Sequence, residues 1–271
     1  MKLIKALVLP VLLLVVWEVA MRVSGIESDS LAMPSQIAVA FYEALRDGTI
    51  LRRTAETLRA ALTGLAIGGG SALIMSIILG LIPAAARLAQ FSVEVLRPVP
   101  AVALIPVAIL TLGFGYAMEV SLVAFATFWP VLIYGQAAIV NIEPQLLDVS
   151  RVLRLSTMGR VTKVVLPATL PRYFVAFRLA TAVSLIVAVT VEIAANPLGI
   201  GYELMTASQS LHPDLMFALV LWIGIVGWVL NGALLLAQRR LFGPAAMVEL
   251  ARCARPLAFS GLPAASRSPR C

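Results

Sequence analysis

Long apolar runs, each close to the roughly 20 residues a helix needs to cross a bilayer core, follow one another to about residue 240, with short polar stretches between them. The pattern predicts an all-α membrane protein with six transmembrane helices, at 1–22 and at about 58–82, 91–112, 118–140, 174–195 and 215–237. The first run follows Lys2 and Lys5 and continues through Trp17, Glu18 and Arg22 without a small-x-small cleavage site. That favours a retained helix with its N-terminus inside over a cleavable signal peptide. Residues 23–53 are mixed and polar: Met33-Pro34-Ser35 marks a turn, and Ile37 to Leu45 reads as an amphipathic helix on the outer surface. Arg52, Arg53 and Arg59 run against that placement, because basic residues collect on the inner side.

Several spans within 54–240 depart from plain apolar helix. The second carries Gly64, Gly68, Gly69, Gly70, Ser71, Ala72 and Ser76, small residues that let helix backbones approach closely in lipid. In the third, LRPVPAVALIP places Pro98, Pro100 and Pro106 in or beside an apolar run, so that helix is expected to break and to satisfy its freed carbonyls inside protein or a wet cavity. Glu94 and Arg97 stand three apart, a spacing that allows an ion pair. Gly113-Phe114-Gly115 predicts an outer turn, and Trp129-Pro130 interrupts the returning span. Arg178 and Glu192 are expected at opposite ends of the fifth span. Two readings of Glu192 stay open: a group on an aqueous path, or an acid at the outer interface. Asn196-Pro197-Leu198-Gly199-Ile200-Gly201 and the short helix after it read as a re-entrant element or as a surface loop, and His212 beside Pro213 as a turn residue.

The long polar passage of the second half runs from Asn141 to Arg172. Pro144 suits a first helical turn, and Leu146, Val149 and Leu153 recur on one face. Ser156 is placed to cap a second short helix, expected to stop at Leu166-Pro167. The result is a basic helix–turn–helix between two spans, which composition alone does not distinguish from an ordinary inner loop.

Hydrophobic residues form 61% of the chain and charged residues 13%, outside the range of soluble globular proteins. The net charge of +7 lies in loops and tail rather than along one aromatic-studded face, so membrane orientation explains it better than nucleic acid does. Cys253 and Cys271 sit in the tail without metal-ligand spacing, and residues 241–271 read as a disordered cytoplasmic tail. No phosphate loop, HExxH or G-x-S-x-G occurs, and there is one histidine. No catalytic or metal site and no cofactor is therefore expected; a chain that drives uptake would draw its energy from another subunit or from an ion gradient.

The polar passage resembles the coupling loop of ABC-importer permeases, whose pattern is Glu-Ala-Ala, three residues, Gly, nine residues, Ile, one residue, Leu-Pro. The frame here is Asp148-Val149-Ser150, then Arg154, then Val164, Val165 and Leu166-Pro167 at the same intervals. Arg154 stands where the family has glycine; at a positive-φ turn it would cost roughly 1–2 kcal/mol. With Met33-Pro34-Ser35, LRPVPAVALIP, Arg178, Glu192 and GIGYELM added, residues 33–240 resemble the permease subunits of importers for nitrate, sulfonates and taurine. The resemblance implies a type I importer fold in the cell inner membrane and a homodimer with both termini cytoplasmic. It also implies an extracytoplasmic solute-binding protein and two cytoplasmic ABC ATPase subunits, each taking a coupling loop in a groove. By that likeness Asp148, Arg154, Leu166 and Pro167 would contact the ATPase, and Glu192, Pro197, Gly199 and Gly201 would belong to the pathway or outer gate, for a small, anionic solute. An ion-gradient carrier and a non-transporting scaffold are the rival functions.

Overall fold

The computed structural model describes residues 2–24 and 31–253, the side chains of residues 2–7, 10 and 242–253 excepted. The described elements are helices: α1 (Lys2–Ser24), α2 (Pro34–Arg46), α3 (Thr49–Leu81), α4 (Pro83–Leu96), a 3-10 turn (Ala101–Leu104), α5 (Ile105–Leu112), α6 (Tyr116–Val140), α7 (Pro144–Val152), α8 (Thr157–Arg160), a π turn (Val161–Val165), α9 (Leu166–Ala194), α10 (Gly199–Gln209) and α11 (Pro213–Cys253).

Four of these stretches are long and apolar enough to cross a membrane: Thr49–Leu81, Tyr116–Val140, Thr157–Ala194 and Pro213–Leu241. A fifth is the pair Pro83–Leu96 and Ala101–Leu112, bent by 83°. The expected count of six is thus not reproduced among the described residues. Prolines are one reason, since Pro98 and Pro100 deny the third span a continuous ladder and fold it into two arms. The expected first span is present as α1 but is not among the four. At the other end α11 continues as helix to Cys253, into the stretch read as a tail, whose remaining residues 254–271 lie outside the described ones.

The core is the packing of α3 against α6 and α9. Its closeness follows from small residues, as expected: at Gly68 an added Cβ would run into the Ala124 carbonyl oxygen and the Thr127 hydroxyl of α6. Gly64, Gly68, Gly69, Ala72 and Ser76 all face inward. Ser76 Oγ and the buried Tyr173 hydroxyl lie 2.6 Å apart, linking α3 to α9, a type of contact worth about 0.6 kcal/mol between membrane helices. By contrast only 6% of the most apolar window of α11 is buried, so most of that helix is left for lipid or another chain. α2 lies along α11, with Phe41 and Trp222 rings 5.7 Å apart and Trp17 of α1 set edge-on to Phe217.

Two local expectations are corrected. Leu166-Pro167 does not end a helix: the chain runs from α8 through the π turn directly into α9, with Pro167 in its first turn, where a missing N–H costs nothing. Glu94 does not pair with Arg97; it accepts a hydrogen bond from Gln90 Nε2 at 2.9 Å, one turn back on the same face.

Candidate functional site

Two ends of the bundle carry the polar chemistry. At the first, α7, α8 and the π turn make an elbow between α6 and α9. α7 starts on Pro144 and closes with Leu155 N–H donating to Ser150 O at 3.1 Å and Arg154 N–H to Arg151 O at 3.0 Å. This paired Schellman closure puts the residue after the helix in the left-handed region, and Arg154 sits there at φ 46°. Ser156 then caps α8, its Oγ accepting from Gly159 N–H at 3.2 Å. Arg172 ties the far side back, donating to the Ala138 and Asn141 carbonyls at the end of α6.

One face of the elbow is anchored and the other is bare. Ile142 and Val165 are buried with Ile139, Leu147 packs on them, and Ser150 is fully covered. The stripe of Leu146, Val149 and Leu153 points away from the bundle, joined by Val152 at 82% and Met158 at 71% exposure. Asp148 is exposed on α7 and accepts from Arg151 Nη1 at 2.8 Å. Leu166 is half-buried and Pro167 exposed at the start of α9. The four predicted residues are thus spread over α7 (Asp148), the turn after it (Arg154) and the start of α9 (Leu166, Pro167), and no single contact joins them.

At the opposite end, the N-terminus of α10 is received by side chains from two other helices. The first N–H groups of a helix have no partner within it and favour negative charge. Here Gly199 N–H donates to Glu56 Oε2 at 3.0 Å, Ile200 N–H to Thr57 Oγ1 at 2.9 Å, and Gly201 N–H to Glu192 Oε2 at 2.8 Å. Gly199 has φ 81°, and any side chain on it would enter the Glu192 carboxyl. Pro197 sits exposed in the turn before it. Asn196, at the base of that turn, donates from Nδ2 to Glu119 Oε2 of α6 at 2.6 Å. Glu192, Gly199 and Gly201 are thus brought together, and Pro197 stands in the turn that leads into them.

Two of the three arginines that run against the orientation pattern, Arg53 and Arg59, are engaged here, while Arg52 is exposed. Arg53 Nη1 reaches Glu56 at 3.2 Å and its Nε reaches Glu203 on α10 at 3.1 Å, while Arg59 stacks over the Tyr116 ring at 5.1 Å. Glu56, Thr57 and Glu119 escape a reading of the sequence. The available signal was an acid, Glu119, at the start of an otherwise apolar run. Arg178 is not at an end of its helix: it lies roughly 18 Å along α9 from Leu166 at about 1.5 Å per residue and donates from Nε to Asn231 Oδ1 of α11 at 2.8 Å.

Comparison with known proteins fits this architecture. Residues 72–243 match the family described as binding-protein-dependent transport system inner membrane component, and the chain belongs to that family: it is an ABC-transporter permease of the importing kind. Its relatives include SsuC of Escherichia coli (strain K12), named for aliphatic sulfonates transport, 31% identical over 85% of this chain and 88% of that one. SsuC of Bacillus subtilis (strain 168) is 28% identical over 88% and 86%, and the nitrate import permease NrtB of Synechocystis sp. (strain ATCC 27184 / PCC 6803 / Kazusa) 27% over 85% and 86%. Among solved structures, an inward-facing form of the MetNI methionine ABC transporter superposes with a TM-score of 0.64 at 19% identity, covering 70% of this chain and 95% of that one. That likeness establishes the type I permease fold.

Proposed function

We propose that this chain forms the membrane path of an ATP-driven importer for a small anion of the sulfonate or nitrate kind, and that residues 141–172 receive force from separate ATPase subunits. The observation that carries the coupling role is the bare stripe on the elbow. Leu146, Val149, Val152, Leu153 and Met158 are apolar and exposed in an otherwise polar, basic loop. An apolar face on a rigid, doubly anchored elbow suits insertion into a groove of another protein. Asp148 and Arg154 flank that face; Leu166 and Pro167 pass its displacement into α9.

The anion is supported by the names of the relatives and by Arg178. A guanidinium within a span needs a polar surrounding. Its side-chain partner is the neutral Asn231 rather than a carboxylate, which leaves its charge uncompensated by any ion pair among the described residues. In this reading the chain works as a homodimer in the inner membrane with both termini cytoplasmic. A solute-binding protein docks at the α10 end, where Glu192, Gly199 and Gly201 form the outer gate.

Purifying the tagged chain from its own cells and assaying uptake of an alkylsulfonate and of nitrate tests the proposal. A co-purifying ATPase and ATP-dependent uptake are expected. Uptake by the chain alone, driven by a proton gradient, would instead make it a secondary carrier, and neither ATPase nor uptake would leave a scaffold.

A further inference from the structure

The N-terminus of α10 is held between α9 and α3, and the two sides differ in kind. On the α9 side it is joined through the chain itself by residues 195–198, and Gly201 N–H donates to the buried Glu192 Oε2 at 2.8 Å. The fit there is close, since a Cβ on Gly201 would lie 2.7 Å from Glu192 Cβ. Asn196, at the base of the turn, is pinned to Glu119 of α6. On the α3 side the polar contacts are Gly199 N–H to Glu56, Ile200 N–H to Thr57, the Arg53–Glu203 ion pair, and the Arg53 guanidinium 5.5 Å from the Tyr202 ring centre.

What each side would lose on parting decides which one gives. Glu192 is 1% exposed, so separation from α10 would take the N–H donor from an oxygen that water does not reach, a costly loss. The Arg53, Glu203 and Glu56 side chains are 17%, 23% and 33% exposed. Water competes for their bonds, and ion pairs open to water add little to stability. Glu56 would keep Arg53 at 3.2 Å, both being on α3, and Thr57 Oγ1 would keep its own bond to the Arg53 carbonyl oxygen. The freed Gly199 and Ile200 N–H groups are first-turn donors, which water can satisfy. Packing along this side is also incomplete, with a small apolar void between Thr54, Thr57 and Leu58 of α3 and Ile200 of α10. Ile50 of α3, buried in one cluster with Ile200 and Ala207, would be uncovered, and that holds the seam shut at rest.

We propose that the outer gate opens along the seam between α3 and α10: Arg53, Glu56 and Thr57 release α10, which stays with α9 as one body. Arg53 is the latch, because it bonds both sides, holding Glu56 on its own helix and Glu203 on α10. This rests on the importer reading, with α10 at its outer gate, and adds the line along which that gate parts.

A reversible link across the seam tests it. Thr57→Cys with Ile200→Cys, in a chain whose Cys253 and Cys271 are replaced by serine, places two thiols where Ile200 N–H and Thr57 Oγ1 stand 2.9 Å apart, within reach of a disulfide. The importer, reconstituted in liposomes with its co-purified ATPase and the binding protein, is assayed for uptake of an alkylsulfonate and of nitrate, first oxidised and then reduced. Oxidation should lower uptake at least tenfold, and a reductant should restore it in the same sample. Arg53→Cys with Glu203→Cys, bridged by a short bifunctional thiol reagent, should do the same and decides if the first pair fails to fold. A linked seam that transports at the reduced rate, or thiols that never cross-link, would show that the gate does not part here while leaving the importer reading in place. No ATP-driven uptake by the wild type would overturn that reading and the gate with it.

Discussion

Arg154 closes α7 with a backbone angle that suits glycine, φ 46°, and keeps the turn without glycine's freedom. The strain of a left-handed side-chain-bearing residue is about 1–2 kcal/mol, and part of the gain from relieving it is returned as unfolded-state entropy. Arg154→Gly should therefore stabilise the loop by about 1 kcal/mol. A higher thermal midpoint and equal or stronger ATPase retention on purification would show it. Gly199 is the opposite case: Gly199→Ala drives a methyl into the Glu192 carboxyl at a positive φ and should cost about 1–3 kcal/mol, read as a lowered midpoint and a sharp fall in uptake. The left-handed turn at position 154 was legible only through the resemblance to the coupling-loop pattern, which has glycine there; the neighbouring residues themselves pointed no further than a break near Leu155-Ser156. The role of Glu119 was not: its partner Asn196 lies 77 residues away, and only the packing of α6 on α9 brings the two together.

Proline explains both what could be read of the helices and what could not. Pro98 and Pro100 announced a broken span, and the chain does bend there by 83°. Pro167 pointed to an end where the structure has a beginning, because a proline is equally compatible with the first turn of a helix when the backbone before it relaxes through a π turn. The loop is thus continuous with α9, and a push on α7 and α8 has a stiff route into the span that carries Arg178 and Glu192. Asp148→Lys places three basic side chains together with Arg151 and Arg154. Pro167→Gly softens the start of α9 by about 1 kcal/mol. Each should lower uptake tenfold or more while ATP hydrolysis and membrane insertion persist; normal uptake by both variants would remove these residues from the coupling path.

The molecule as a whole is asymmetric in a way that fits its family. One end shows a bare apolar stripe on a basic elbow; at the other, carboxylates, arginines and helix N–H groups are paired into a seat for α10. The three-helix core between them is held by close backbone contact, suited to moving as a rigid unit. Helix number was the least legible feature, since a proline-bent pair reads as one span by hydropathy and as two arms in space. The claim on which the rest hangs is that the elbow lies in the cytoplasm against an ATPase. Thr157→Cys, introduced where Cys253 and Cys271 have been replaced by serine, should cross-link to the co-purified ATPase subunit and resist membrane-impermeant thiol reagents added to intact cells. Labelling of that cysteine from outside the cell, with no cross-link formed, would contradict the account.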